Sequence, residues 1–276
     1  MKPFIRWCGG KFSVIDPIVE KLEELKGDRV IDVFAGGGAI FLNAPQAKKV
    51  VCDINPHLIN CYRDTAADPD GMINTVSSLL KNYPGKEGYY AVRDMFNEKD
   101  EIGLTWMKSA QFIYLNRTCF NGLFRVNKKY KFNTPYGYLK NPYVPSEEIK
   151  YFASMAAECE FICQGYKRSI ELAGEGDVVV CDPPYMPLEG KDSFTAYHDG
   201  EWRLAEQTAL VDCLLKAHQR GASVLIFNSD SDLIRDLYKW HGFEIYDLPT
   251  RRSIGASGAA RGVSVDIMGV LRNGSR

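Results

Sequence analysis

Three short apolar runs govern what this chain can become, because each stops on residues that an ordinary strand end does not need. RVIDVF (29–34) runs into AGGG, KVVCDIN (49–55) reaches an acid at Asp53, and DVVVC (177–181) stops at Asp182-Pro183-Pro184-Tyr185. Continuous apolar runs without alternation belong to strands buried on both faces, the kind from which parallel sheets are built. EFICQ (160–164) and SVLIF (223–227) read the same way, whereas FEIYDL (243–248) and VSVDIMGVL (263–271) read as an antiparallel pair joined by the loop RRSIGASGAARG. Helical spacing fills the intervals. TWMKSAQFIYLN carries apolar residues at 106, 107, 110, 113 and 114, AIFLN after the glycines starts a helical stretch, and further helices fall at about 203–219 and 230–240. Such alternation predicts an α/β fold with a mostly parallel sheet and an antiparallel C-terminal strand.

The rhythm changes after Asp53. Residues 57–115 read as mainly helical, and 116–145 (NRTCFNGLFRVNKKYKFNTPYGYLKNPYVP) as an irregular surface loop of the kind that carries function. The predicted organisation is a sheet domain of 1–56 and 146–276 interrupted by an insertion at 57–145. A chain of 276 residues, 45% hydrophobic and 25% charged, has the material for such a core. Its net charge of −1 does not point to a polyanion. The local charge does, because Ile102 to Lys140 holds no Asp or Glu but carries Lys108, Arg117, Arg125, Lys128, Lys129, Lys131 and Lys140. The eight cysteines are scattered without a C-x-x-C pair, and the four histidines follow no ligand spacing, so reduced thiols and no metal are expected. The opening MKPFIRWCGG lacks the apolar stretch of a signal peptide and no run is long enough to span a bilayer, so the expected location is cytoplasmic, with no membrane partner.

Each strand end carries a chemical suggestion. The glycines of Phe34-Ala35-Gly36-Gly37-Gly38 allow a sharp bend and close approach of a ligand, which in an open parallel sheet sits beyond the carboxyl ends of the strands. Asp53 can accept both hydroxyl hydrogens of a ribose, which suggests an adenosine-containing cofactor. The dinucleotide fingerprint G-x-G-x-x-G/A fails at Phe41, which weakens a nicotinamide reading and leaves a plain strand-to-helix turn as the alternative. At the second site, two prolines stiffen the corner. Asp182 and the Pro183 carbonyl can both accept hydrogen bonds from one exocyclic amine, and Tyr185 can stack on the ring that bears it. The alternative is a proline-stiffened loop with an ordinary surface acid. In the opening Arg6-Trp7-Cys8-Gly9-Gly10-Lys11, Lys11 suits a carboxylate and Trp7 suits the flank of a cofactor, or else the segment is a terminal turn around a core tryptophan.

Together these segments resemble the Dam-type DNA adenine N6-methyltransferases, which use S-adenosylmethionine, over nearly the whole chain. WCGGK (7–11), FAGGG (34–38), DIN (53–55), LNRTCFNGLFR (115–125), NTPYG (133–137) with NPYVP (141–145), DPPY (182–185), FTAYH (194–198), RRSI (251–254) and VD (265–266) carry the likeness. It implies a Rossmann-like methyltransferase sheet and an inserted, mainly helical target-recognition domain. It implies cofactor contacts from Trp7, Lys11, Phe34, Gly36, Gly38, Asp53, Tyr166 and Asp182. It also implies a catalytic set of Asp182, Pro183 and Tyr185, and no metal. The residues implied to face double-stranded DNA are Arg6, Arg117, Phe120, Asn121, Leu123, Arg125, Lys128, Pro135 and Tyr138, with Phe120 and Asn121 around an extruded base and Arg125 and Pro135 at the target bases. A monomer is expected. The family's usual target is GATC, but Tyr138-Leu139 stands where Arg-Tyr often follows P-F-G, so a guanine-reading arginine is missing.

The implied chemistry is methyl transfer to adenine N6, with Asp182 and the Pro183 carbonyl stabilising the charge that builds on nitrogen. Asp182 is expected to orient the amine, not to act as a strong base. The adenine must leave the helix first, and Phe120 is the candidate to fill its place. Cytosine-N4 enzymes more often carry S-P-P-W and glutamine methylases N-P-P-Y, while a non-catalytic DNA-binding module would not need Trp7, Lys11, Asp53 and Asp182 together.

Overall fold

The computed structural model describes residues 1–98, 105–185, 202–251 and 263–274; the FTAYH segment and most of the RRSIGASGAARG loop lie outside them. Seven strands form one sheet in the order β3-β2-β1-β4-β5-β7-β6. They are β1 (Arg29–Asp32), β2 (Lys48–Asp53), β3 (Cys159–Cys163), β4 (Asp177–Cys181), β5 (Ser223–Ser229), β6 (Glu244–Arg251) and β7 (Val263–Leu271). β3, β2, β1, β4 and β5 run parallel, and β7 lies antiparallel between β5 and β6. The sheet is thus the mostly parallel one predicted from the apolar runs. Every residue of β4 and β5 is buried, which is why these strands show no alternation.

The helices are α1 (Ile15–Glu24), α2 (Pro56–Ala67), α3 (Pro69–Asn82), α4 (Gly85–Asn97), α5 (Trp106–Thr118), α6 (Ser146–Ala156), α7 (Tyr166–Glu171), α8 (Leu204–Gln219) and α9 (Asp232–Trp240). On one face of the sheet Ile18 and Leu22 of α1 pack with Val30, Val178, Val180 and Leu225. On the other, Leu210, Val211 and Leu214 of α8 and Ile234 and Tyr238 of α9 meet Ile31, Val179, Val224 and Ile226. A third cluster runs unbroken from Phe4, Phe41 and Val51 through Leu58 and Tyr62 of α2 to Met72, Val76, Tyr89 and Ile113, so the inserted helices share a core with the sheet.

Two local expectations change. AIFLN is not a helix but a series of turns. Asn43 turns its side-chain amide back to the Ala39 carbonyl at 2.8 Å, and Pro45 follows before a helix can propagate. The segment 116–145 is not a loose surface loop. Phe124, Phe132 and Thr134 are buried, and bridges join Cys119 to Tyr136 and Val126 to Phe132.

α5 extends as predicted from its spacing, starting at Thr105, whose hydroxyl accepts from the Lys108 amide at 3.4 Å. It is not amphipathic in use, however. Every residue from Lys108 to Thr118 is buried, while Met107 is exposed. The other inserted helices and the N-terminal segment surround it, so its polar side chains must find partners inside. Ser109 donates to Asp64 at 2.6 Å, and Asn116 brackets the Arg6 backbone, accepting from its amide at 2.9 Å and donating to its carbonyl at 2.8 Å. Lys108, expected on a positive face, donates inward to the carbonyls of Met95, Phe96 and Glu98 at 2.7, 2.8 and 3.1 Å, where α4 ends. Lys108→Met is expected to destabilise the protein by about 1–3 kcal/mol in urea titrations. The salt dependence of any polyanion binding should not change, because this ammonium is spent on a helix end.

Candidate active site

β2, β1 and β4 are neighbours in the sheet, so Asp53, the glycine turn and Asp182 emerge side by side at their carboxyl ends. The chain reverses its direction of travel across the sheet at β1 and β4, the position where open α/β sheets leave a crevice. Asp32 lies opposite Val51 of β2 and Val180 of β4. Asp53 and Asp182 are each two residues beyond those partners, which puts three carboxylates on one face of the pleat.

Lys11 is the cation that answers Asp182. It is 4% exposed, on the short turn of helix Lys11–Val14 that precedes α1. Its ammonium lies 2.7 Å from Asp182 Oδ1, donates to Oδ2 at 2.8 Å and to the Gly9 carbonyl at 2.9 Å, and sits 4.8 Å over the Tyr185 ring. Burial raises the Asp182 pKa above the usual carboxylate range, and Lys11 pulls it back down. The Tyr185 hydroxyl donates to Asp266 Oδ2 of β7 at 2.9 Å.

The turn after β1 depends on its glycines. Gly36 and Gly38 have φ of 48° and 87°. A Cβ on Gly36 would lie 2.7 Å from Trp7 Cδ1, so the tryptophan rests directly on the turn. The Gly36 amide donates to Asp53 Oδ2 at 3.0 Å, and its carbonyl accepts from the buried Tyr62 hydroxyl at 2.6 Å. The other Asp53 oxygen accepts from the Asn55 amide at 2.8 Å, so Asp53 ties two backbone segments together at the place where a ribose was expected. With about four lone-pair positions, a carboxylate retains acceptor capacity beyond these two bonds. Phe34 stacks on Tyr166 with ring centroids 5.9 Å apart, and Trp202 meets both rings edge-on at 5.9 and 5.7 Å.

Tyr62, Trp202 and Asp32 were not in the predicted site. Tyr62 and Trp202 gave no signal beyond ordinary aromatic positions. Asp32, however, is an acid inside an apolar run, and that was legible. It is 1% exposed, and neither carboxylate oxygen completes a hydrogen bond among the described residues. Burial first, then the Asp182 and Asp53 charges, push its pKa up to about 8, and the nearby backbone N–H dipoles of Phe41 and Phe34, which fall short of hydrogen bonds, offset only part of this. Folding therefore keeps a proton on Asp32 that the unfolded chain releases near pH 4. This contribution is complete below that pH and is lost as pH climbs to about 8. Asp32→Asn is expected to flatten that decline and to gain about 1–3 kcal/mol over the wild type at pH 9 in denaturant titrations.

The residues expected to face DNA divide into two groups. Phe120, Asn121, Arg125, Lys128, Pro135 and Tyr138 are exposed on one continuous stretch. Phe120 is 51% and Tyr138 71% exposed, and the Phe120 amide donates to the Pro135 carbonyl at 2.9 Å, which brings the two parts of the loop together. Arg125 is held by Asn133, donating to its side-chain oxygen at 2.8 Å and its carbonyl at 3.2 Å. Arg6 and Leu123 are half-buried beside this surface. Arg117 departs from the expectation: it is 1% exposed, with its guanidinium 4.5 Å from the centre of the Tyr143 ring. It sits in the last turn of α5, where a cation is favoured by the helix end, and the returning 133–145 segment covers it. Trp7 joins the two regions, stacking on Phe124 at 6.1 Å with the rings 12° apart.

Known proteins are similar to this chain over most of its length. The family model described as D12 class N6 adenine-specific DNA methyltransferase matches residues 7–254. The DNA N-6-adenine-methyltransferase of Escherichia phage P1 is 42% identical over 98% of this chain, which spans only 35% of that protein's length. The DNA adenine methylase of Vibrio cholerae is 37% identical, with 94% of this chain and 92% of that protein covered. That of Escherichia coli K12 is 33% identical, with 99% and 96% covered. These matches favour an adenine amine over the cytosine, glutamine and nicotinamide alternatives, and the chain belongs to the D12 class of N6 adenine-specific DNA methyltransferases.

Proposed function

We propose that the protein takes the methyl group from S-adenosylmethionine and places it on N6 of an adenine flipped out of double-stranded DNA, within GATC or a related short site. The observation that carries this reading is the convergence of Asp53, the glycine turn and the Lys11–Asp182 pair at three adjoining strand ends, next to the exposed Phe120–Tyr138 surface. The residues fit the cofactor. The left-handed glycines open the backbone to close approach, Asp53 suits a ribose, the Phe34–Tyr166–Trp202 rings suit a flat base, and the acids at the adjoining strand ends favour a cationic ligand. Trp7, Lys11, Phe34, Gly36, Gly38, Asp53, Tyr166 and Asp182 would hold it, and when bound it supplies an electrophilic methyl.

The chain's own work is positioning and charge stabilisation. Adenine N6 is a poor nucleophile because its lone pair is shared with the ring. Asp182 and the Pro183 carbonyl accept from its hydrogens and stabilise the positive charge that develops. The Lys11 ion pair makes Asp182 an orienting acceptor, and the released proton passes to water. Tyr185 stacks on the base and offsets part of the few kcal/mol that flipping costs. In this reading residues 57–145 are the target-recognition domain, and residues 1–56 with 146–276 the catalytic one. Phe120 fills the vacated stack, and Lys128 holds phosphate. The protein acts as a monomer in the bacterial or host cytoplasm. No helix among the described residues is long and apolar enough to cross a membrane.

Expression in a methylation-free strain followed by long-read modification mapping tests the reading. N6-methyladenine at one short site is expected, and no modified adenine would refute it. Arg125→Ala should relax that site, at a cost of about 1–3 kcal/mol for the base it reads. An unchanged methylation map would remove Arg125 from recognition.

A further inference from the structure

Tyr185 is fixed from two directions. Its hydroxyl is tied to Asp266 of β7, 81 residues away in sequence, and one face of its ring lies under the Lys11 ammonium. Asp266 is 7% exposed and stands in register with Ser229 of β5 and Leu248 of β6, so it is carried by the middle strand of an antiparallel trio and has little freedom to move. Burial raises the phenol pKa far above its usual value, so Tyr185 stays the donor in this bond and Asp266 the acceptor. A phenol that donates to a carboxylate is polarised towards the ring, and an electron-rich ring attracts cations more strongly. Lys11 occupies one face, and the stacking role given to Tyr185 would use the other.

We propose that Asp266 is a positioning residue for methyl transfer: by anchoring the Tyr185 hydroxyl it sets the plane against which the target adenine stacks, and so the approach of N6 to the methyl group. The proposal rests on the base-stacking role given to Tyr185 above. It assigns a function to the antiparallel end of the sheet, which is otherwise remote from the cofactor turn. A tilt of the ring displaces the amine from its line of approach, and misplacement on the scale of an ångström lowers rates about 100-fold.

The test is a double-mutant cycle on the full-length protein, using Asp266→Ala, Asp266→Asn, Tyr185→Phe and Asp266→Ala/Tyr185→Phe. Single-turnover methylation is measured alongside S-adenosylmethionine affinity by calorimetry and the fluorescence of 2-aminopurine at the target position. Asp266→Ala and Tyr185→Phe are each expected to lower the transfer rate about 10- to 100-fold. Both should reduce the 2-aminopurine signal and leave cofactor affinity within about twofold, and the double variant should be no worse than either single one. Asp266→Asn retains an acceptor oxygen and should recover most of the rate. Wild-type transfer by Tyr185→Phe would overturn the proposal even if Asp266→Ala fails to fold, and so would additive losses. A wild type that methylates without any 2-aminopurine response would refute base flipping instead, while the rate cycle would still decide the role of Asp266.

Discussion

Asp182→Asn should lower the rate of methyl transfer about 100- to 1,000-fold while the protein remains folded and binds DNA. Asparagine keeps the shape of the side chain but loses the charge proposed to stabilise a developing ammonium. Its amide nitrogen also presents donors where Lys11 and the substrate amine both need an acceptor. The shorter variant Asp182→Ala removes the acceptor altogether and leaves the Lys11 ammonium, 4% exposed, without its ion-pair partner. Breaking a buried pair in this way costs about 3–5 kcal/mol, so the alanine variant should lose both activity and stability. Rapid-quench methylation, fluorescence anisotropy with a DNA duplex and urea titration separate these effects. Full activity in Asp182→Asn would remove Asp182 from the chemistry.

Gly36→Ala carries the second large effect. The residue adopts φ of 48°, where a side chain costs about 1–3 kcal/mol, and the new Cβ would lie 2.7 Å from Trp7 Cδ1 and 2.9 Å from its Nε1. Relief by backbone movement is blocked, because Asp53 holds the Gly36 amide and Tyr62 holds its carbonyl. Trp7 must therefore shift, and it is stacked on Phe124 of the 116–145 segment. Affinity for S-adenosylmethionine should fall about 10- to 100-fold, or about 1.4–2.8 kcal/mol, in calorimetry. Gly174→Ala, where nothing lies within 4 Å of the new Cβ, is the control expected to bind normally. Unaltered binding by Gly36→Ala would show that the turn does not approach the cofactor.

Much of the fold was legible because its signals are local. Buried parallel strands announce themselves as unbroken apolar runs, and the three that matter most end in glycines or an acid. The helix of the insertion was legible for the same reason, through its spacing, but its environment was not. Spacing identifies an apolar face only when the opposite face meets water. α5 meets protein on every side, so Asn116 and Arg117, read as part of a surface loop, are buried, and so is Ser109. The acid-free basic stretch was likewise an overcount. Two of its cations, Lys108 and Arg117, are taken up by a helix end and an aromatic ring. Arg125 and Lys128 remain exposed.

The amino-acid sequence by itself determined the parallel sheet, the position of the glycine turn, Asp53 and Asp182-Pro183-Pro184-Tyr185 at strand carboxyl ends and, through the motifs together, the kinship to adenine methyltransferases. What only the tertiary structure decided is the partner of each buried charge and hydroxyl. Lys11 reaches Asp182 across 171 residues, Tyr185 reaches Asp266 across 81, and Asp32 completes no hydrogen bond among the described residues. The division has a physical cause. Backbone preference and hydrophobic pattern act over a few neighbouring residues, whereas a group removed from water must be satisfied by whatever the packed chain brings beside it.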